Sequence, residues 1–474
     1  MANKKQKVLS HIPPVNQILA HAEIQRYVEK FSQSLVVSII QQEIQGYQSH
    51  LLNQSHASYS RDSIQAELIS GILNSLTNLS QPSLRRVINA TGIILHTGLG
   101  RAPLTEEARE NIIKVSEGYC SLEIDIPAGG RGDRTQHVEE LLRHLTGAEA
   151  ACVVNNNAAA VMLTLNTLCF EREAVISRGQ LIEIGGSFRI PEVMQKSGVK
   201  MVEVGATNKT HLRDYENAIN DNTGLICIVH PSNFRIKGFT TEPELAHLVE
   251  LGKKQGLPLF QDLGGGILVD LREFGLPYEP VVSESVRQGV DVISFSGDKV
   301  LGGPQCGIIV GKKAYLDKIK KNPIMRALRC DKLIYAALEP TLKLYLEKEQ
   351  LPTRNRVFAM LLESVDGLTE RAGRLLEQLS GKAKTLGQIQ IEESTIQIGS
   401  GALPLEELSS KALSLQCADI TTQSLAEKFR MYDPAIIGYI RADKLFFDLR
   451  TVARSEEPFM LMAIEEILTL SSNI

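Results

Sequence analysis

The sequence predicts an α/β protein with a mostly parallel sheet, preceded by a helical unit and followed by a smaller α+β unit. Three observations carry this. From about residue 85, short Val/Ile/Leu-rich runs alternate with amphipathic helical patterns, the texture of βαβ units covered on both faces. Before that point no strand-like run occurs, and beyond about residue 345 the alternation gives way to one long helical pattern and several short strands. The expected division is 1–80, 85–340 and 341–474.

In the first unit, Val15–Phe31 and Ser34–Leu52 read as helices. The second carries Val36, Ile39, Ile40, Ile44, Tyr47 and Leu51 at helical spacing. Ser63–Leu79 repeats Ile64, Leu68, Ile72 and Leu76 every four residues, and Ser80-Gln81-Pro82-Ser83 closes the unit. Residues 1–80 hold six Lys/Arg against five Asp/Glu, so composition alone supplies no basic patch and indicates an interaction or oligomerisation bundle.

The expected strands of the second unit are Ala151–Val154, Ala174–Ser177, Met201–Val204, Gly224–Val229, Pro258–Gln261, Val290–Ser294 and Cys306–Val310. Helical patterns at Val138–Leu145, Ala158–Leu168, Leu212–Asn220 and Pro243–Gln255 lie between them. Such sheets carry their chemistry in loops beyond the carboxyl ends of the strands. In the third unit we expect a helix over Arg354–Leu379, strands near Gln388–Ile391 and Thr395–Ile398, and a helix near Ala412. A strand, strand, helix tail should follow over Ile436–Ile440, Lys444–Asp448 and Glu456–Leu470.

The composition narrows the function classes. The 474 residues are 43% hydrophobic and 22% charged, as in an ordinary globular protein. Lys+Arg at 51 against Asp+Glu at 55 gives a net charge of −4, so a polyanion must be held by local patches. The longest apolar stretches, such as Leu35–Ile40, fall far short of the ~20 residues that span a bilayer. Lys4, Lys5 and Lys7 resemble a signal peptide's basic start, but His11, Pro13, Pro14, Asn16 and Gln17 occupy the place of its apolar segment. These absences point to the cytosol. Seven scattered cysteines without a CxxC pair read as reduced thiols and predict no metal site. Only Cys306, in a glycine-rich loop, is a candidate nucleophile.

Three motifs carry chemistry. Asp291-Val-Ile-Ser294-Phe-Ser296-Gly297-Asp298-Lys299 takes an apolar strand into a glycine-rich turn that delivers a lysine. A lysine desolvated at a strand end has a lowered pKa, and its neutral amine can form a Schiff base; Ser294 and Ser296 offer hydroxyls for a phosphate. The bland alternative is a solvated loop lysine. Asp262 ends another strand and precedes Gly264, Gly265 and Gly266. A carboxylate there can hold the protonated ring nitrogen of pyridoxal phosphate, or can simply cap a turn. Asn155-Asn156-Asn157-Ala158-Ala159-Ala160 follows a strand and opens an apolar helix, whose first amides suit a phosphate; a plain N-cap is the alternative. The three together, in the chain order phosphate loop, ring-nitrogen carboxylate, lysine, are more specific than any one.

Competing motifs are weak. GxxxxGK[ST] is absent, and Gly98-Leu-Gly100 carries Pro103 where a dinucleotide fingerprint needs its third glycine. His230, at a strand end before Pro231-Ser232-Asn233-Phe234, is the pocket candidate among the histidines. Arg101 lies in a glycine-flanked loop. Arg326 and Arg329, three apart, would share a helix face suited to a phosphate or carboxylate, or would form surface ion pairs with Glu339 or Asp331.

Arg85–Leu104, Asn155–Ala160, Arg178–Pro191 and Ser294–Gly307 resemble bacterial selenocysteine synthase, the L-seryl-tRNA(Sec) selenium transferase family, over nearly the whole chain. The resemblance implies an aspartate-aminotransferase-like (fold type I) pyridoxal 5'-phosphate enzyme. It implies Lys299 as the cofactor lysine; Asn156, Asn157, Ala158, Asp262, His230, Ser294 and Ser296 then fall to the cofactor. Arg101, Arg326 and Arg329 match residues that bind the selenium donor, and Asp298 an aspartate of the same site. The implied reaction takes seryl-tRNA(Sec) and selenophosphate to selenocysteinyl-tRNA(Sec) through a dehydroalanyl-tRNA. The helical unit would grip the tRNA, and the assembly would be a homodecamer, a pentamer of dimers. A pyridoxal-phosphate lyase of a free amino acid or amino sugar, and a non-catalytic tRNA-binding protein, are the alternatives.

Overall fold

The computed structural model describes residues 10–53, 60–184, 188–399 and 407–470. The chain forms two compact units, Met1–Arg86 and Val87–Ile474. The first is helical throughout its described part: Val15–Leu19, Ala22–Lys30, Gln33–Asn53 and Arg61–Ser80. The helix expected over 15–31 is two helices, broken where His21 takes an extended conformation. The break has a packing reason. Ile18 and Ile24 are both buried in one core with Val36, Ile40, Leu68, Ile72 and Leu76, and on one continuous helix they would face different sides. Ser60 caps the last helix by accepting from the Ser63 amide at 3.1 Å.

The second unit is built on a seven-stranded sheet: β1 (Ala150–Val154), β2 (Glu173–Ser177), β3 (Lys200–Val204), β4 (Thr223–Val229), β5 (Leu259–Gly264), β6 (Val292–Ser296) and β7 (Gly307–Gly311), in the order β1-β7-β6-β5-β4-β2-β3. All neighbours are parallel except β7, which runs antiparallel to both β6 and β1. Side chains alternate between two cores: Ala151 and Val153 enter one, Ala150, Cys152 and Val154 the other. That two-sided burial is why these strands read as continuous apolar runs.

Register aligns the chemistry. Gly307 pairs with Val154 on one side and Ser296 on the other, Asp262 pairs with Ser294 and with Val229, and so the ends of β1, β6, β5 and β4 open on one edge. A register shift between Asp262 and Gly264 ends β5. There Gly264 takes φ +66°, a left-handed conformation that costs glycine least.

Beyond residue 345 several expectations fail. The helix over 354–379 is three: Leu351–Arg354, Arg356–Leu362 and Val365–Gln378. Buried Asn355 interrupts it, accepting from the amides of Val357 and Phe358 and donating to the Leu301 carbonyl at 3.0 Å. Ser364 makes the second break by capping Gly367. Ala412 lies on a strand, not a helix. The second sheet has β8 (Gln390–Gln397), β9 (Glu407–Leu415), β10 (Tyr439–Arg441) and β11 (Lys444–Asp448), antiparallel in the order β8-β9-β11-β10. β9 is central and buried along Ala412–Leu415, and a short apolar run of that kind has no readable period. The two short strands expected near 388–398 are the single strand β8. Val87–Asn89 pairs in parallel with Ala435–Ile437, which puts Ile88 and Ala90 in the core of this carboxyl-terminal layer. Among the described residues no helix is long and apolar enough to cross a membrane.

Candidate active site

A cavity of about 270 Å³ opens at the strand ends, lined among others by Arg101, Asn156, Asn157, Ala158, His230, Asp262, Ser296, Asp298 and Lys299. Nine residues singled out from five separate stretches of sequence therefore meet in one place. Each is delivered by a different loop: Asn156–Ala158 after β1, His230 after β4, Asp262 on β5, and Asp298–Lys299 after β6.

Lys299 is 6% exposed. Burial pulls its amine below the usual lysine range; Asp262 and Asp298 oppose that shift, while the Arg101 charge adds to it. The shift favours the neutral amine, the form that attacks an aldehyde. Asp262 is 4% exposed, and burial pushes its carboxyl up from the ordinary aspartate range. Three donors counter this: Asn157 Nδ2 at 2.7 Å, the Gly264 amide at 3.0 Å and Ser294 Oγ at 3.4 Å, all on Oδ1. A cation beside Asp262 would complete its compensation.

Asn156 caps the helix Asn157–Cys169 by accepting from the Ala159 amide at 2.9 Å. The plain N-cap reading is thus true of this residue, and the helix start it creates still presents first-turn amides to the cavity. The Asn156 backbone lies so close to β7 that a Cβ on Gly307 would collide with its carbonyl oxygen. Ser294 is fully buried, and its hydroxyl is spent on Asp262. It supports the carboxylate from below and does not line the cavity; Ser296 does.

Arg101 takes φ +61°, uncommon for a residue with a side chain. Its NH1 donates to Asp298 Oδ2 at 2.7 Å, with Arg101 28% and Asp298 7% exposed. His230 Nε2 lies 3.0 Å from Oε2 of buried Glu279, and its amide donates to the Asp262 carbonyl at 2.8 Å.

Arg326 and Arg329 are elsewhere. They line a second cavity of about 680 Å³ with Glu123, Arg131, Arg134 and Lys320. They do not share a helix: the helix is only Met325–Leu328, and Arg329 follows it in extended conformation, bridging to Val154. The neighbouring Asn155 amide donates to the Leu328 carbonyl at 2.9 Å. The Asn155–Asn157 turn therefore stands between the two cavities. Cys306 is fully buried and its thiol is pushed well above the usual range by that burial, so it offers no nucleophile.

Sequence reasoning passed over Ser232, Phe188, Ile182 and Gln305, which also line the first cavity. Ser232, two residues past His230, carried the only usable signal. Its buried hydroxyl has no partner, nor has Asn157 Oδ1. Unpaired buried polar atoms around a desolvated lysine, a carboxylate wanting a cation and a helix start wanting an anion match pyridoxal 5'-phosphate group by group.

The comparisons agree. A family model described as L-seryl-tRNA selenium transferase matches residues 87–453, and one described as selenocysteine synthase N terminal matches 9–47. The L-seryl-tRNA(Sec) selenium transferase of Clostridium botulinum (strain 657 / Type Ba4) is 45% identical, covering 98% of this chain and 99% of its own. That of Alkaliphilus oremlandii is 44% identical with the same coverage. Among solved structures, a D-glucosaminate-6-phosphate ammonia-lyase shares the fold at a TM-score of 0.56 and 19% identity, over 84% of this chain and 99% of that one. This chain belongs to the L-seryl-tRNA selenium transferase family, pyridoxal-phosphate enzymes, and has the α/β fold of the ammonia-lyase.

Proposed function

We propose that this enzyme converts L-seryl-tRNA(Sec) to L-selenocysteinyl-tRNA(Sec) with selenophosphate as the selenium donor, in the cytosol. The observation that carries the chemistry is the buried, desolvated Lys299 amine facing Asp262 across one cavity. Pyridoxal phosphate, when bound, supplies an electron sink that stabilises negative charge at the seryl α-carbon. Lys299 would hold the cofactor, and its Nζ, as a free amine, would take the α-proton of the seryl group. Asp262 would pair with the protonated ring nitrogen, and Asn157 and Ser294 hold Asp262 in place and counter the upward push of burial on its carboxyl. Asn156–Ala158, Ser296 and His230 bind and orient the cofactor. With the α-proton gone, the β-hydroxyl would leave as water, the donor's selenium would bond to the β-carbon, its P–Se bond would break with the phosphoryl group passing to water as phosphate, and a proton would return to the α-carbon.

Arg101, steadied by Asp298, is placed to hold an oxyanion at the Lys299 cavity, while Arg326 and Arg329 hold the donor's oxyanion in the second cavity; planar guanidiniums suit a phosphate group. The helical unit is proposed to grip the tRNA. Its near-neutral charge is compatible with this if recognition is by shape and shared among several subunits. Ile113, Tyr119, Ile124 and Ile126 are exposed on the single chain, an apolar surface that self-association into a decamer of paired subunits would cover. A lyase acting on a free amino acid or amino sugar is not favoured, since full-length relatives carry the transferase name. The deciding assay is purified protein with seryl-tRNA(Sec) and selenophosphate: selenocysteinyl-tRNA is the expected product, and its absence with cofactor bound rejects the proposal.

A further inference from the structure

Glu123 draws three guanidinium groups onto one carboxylate. Its Oε1 pairs with Arg134 and lies 3.5 Å from Arg329 NH1, and its Oε2 lies 3.2 Å from Arg131 NH2. These cations, Arg134 foremost through its hydrogen bond, hold the Glu123 carboxyl below the ordinary glutamate range. Arg134 is anchored a second time, by donating to the Cys330 carbonyl at 2.5 Å. The same cavity contains Arg326 and Lys320, but Lys320 is engaged by Glu139 at 2.7 Å. Two carboxylates, Glu123 and Asp133, thus line the cavity with four guanidiniums, and the pocket keeps an excess of positive charge.

The element that carries Glu123 is slight. It precedes a hairpin whose ladder is two residues on each side, Ile124–Asp125 with Gly130–Arg131. Its own backbone is tied in by one bond, the Gly132 amide to the Glu123 carbonyl at 3.0 Å. The opposite wall is firm: Arg329 bridges Val154 at the end of β1, in the turn that also lines the Lys299 cavity. Arg134 and Arg329 are tied to the body of the fold, whereas Glu123 and the exposed Arg131 share the slight hairpin.

We infer that Glu123 is an internal stand-in for the donor's oxyanion, neutralising Arg131, Arg134 and Arg329 until a phosphate-class anion takes its place. Clustered guanidiniums repel one another without a counter-ion, and a carboxylate supplied by the chain keeps them converged. A phosphate offers more acceptor oxygens and more charge to the same forks, so it displaces the carboxylate, whereas a weak monoanion such as chloride does not. This rests on the reading that Arg326 and Arg329 hold the selenium donor.

The test is calorimetric titration of the full-length holoenzyme with inorganic phosphate. Glu123→Gln, similar in shape but uncharged, should bind phosphate about tenfold more tightly, the scale of one partly exposed ion-pair competition removed. Adding Arg326→Ala to that variant should abolish the gain. Unchanged or weaker phosphate binding in Glu123→Gln overturns the inference, as does a gain that survives Arg326→Ala. The KM for selenophosphate separates this from the donor assignment. Tighter phosphate binding with an unmoved KM keeps the stand-in and removes the donor from this pocket. Unmoved phosphate binding with a KM raised by Arg326→Ala does the reverse.

Discussion

Asn157 Nδ2 donates to Asp262 Oδ1 at 2.7 Å, so the first residue of a phosphate-facing helix fixes the carboxylate meant for the cofactor ring. The two sides of the cofactor cradle are therefore mechanically one piece. Asp262→Asn should cost about 10²-fold or more in turnover, the scale of losing one preorganised charge in a dry site. Asn157→Ala should act more mildly, weakening cofactor affinity about tenfold through one lost charge-assisted hydrogen bond. Steady-state rates and cofactor titration followed in the visible range check both; unchanged cofactor affinity in Asn157→Ala would mean the bond is incidental.

Arg101 is a cation beside a buried amine, and it disfavours the ammonium form of Lys299. Arg101→Gln removes that push, so the Lys299 pKa should rise and the neutral amine should become available only at higher pH. The pH midpoint for the rate at which apoenzyme takes up pyridoxal phosphate should move upward. Asp298→Asn removes an opposing charge and should move it downward. Stopped-flow absorbance across pH reads both, and shifts of the same sign would exclude the electrostatic account.

Loss of residues 1–86 removes one compact unit whole. The remaining chain should keep its cofactor absorbance, because every residue lining the Lys299 cavity lies beyond 86. It should lose tRNA binding in a gel-shift assay and selenocysteinyl-tRNA formation with it. Retained turnover on seryl-tRNA(Sec) would remove the tRNA-gripping role from this unit.

Gly307 lets β7 pass against the Asn156 carbonyl. Gly307→Ala should destabilise the protein by about 2 kcal/mol, as overpacking against backbone does, and should also loosen cofactor binding by displacing the Asn155–Asn157 turn. Thermal melts of apoenzyme and holoenzyme check the two effects separately.

The catalytic core was legible because its signals are local. Each loop residue that meets in the cavity follows an apolar run ended by Asn, Asp or Gly, and parallel-sheet topology sends all such loops to one edge. What the sequence hid depends on distant partners. Ser294 reads like a phosphate ligand until Asp262 is seen beneath it, and Asn355 breaks a good helical pattern only because Leu301 waits for its side chain. Ala412 shows no period because β9 is buried along Ala412–Leu415. Arg326 and Arg329 look like one helix face, yet a bridge to Val154 pulls Arg329 out of the helix. Glu123, nineteen residues past the motif that ends at Leu104, gave no signal at all.

The most direct test of the account is borohydride reduction of the holoenzyme followed by peptide mass mapping. The account predicts a single cofactor adduct on Lys299, lost in Lys299→Ala together with the visible absorbance near ~420 nm expected of a lysine-bound pyridoxal. An unmodified Lys299, or an adduct on another lysine, would contradict it.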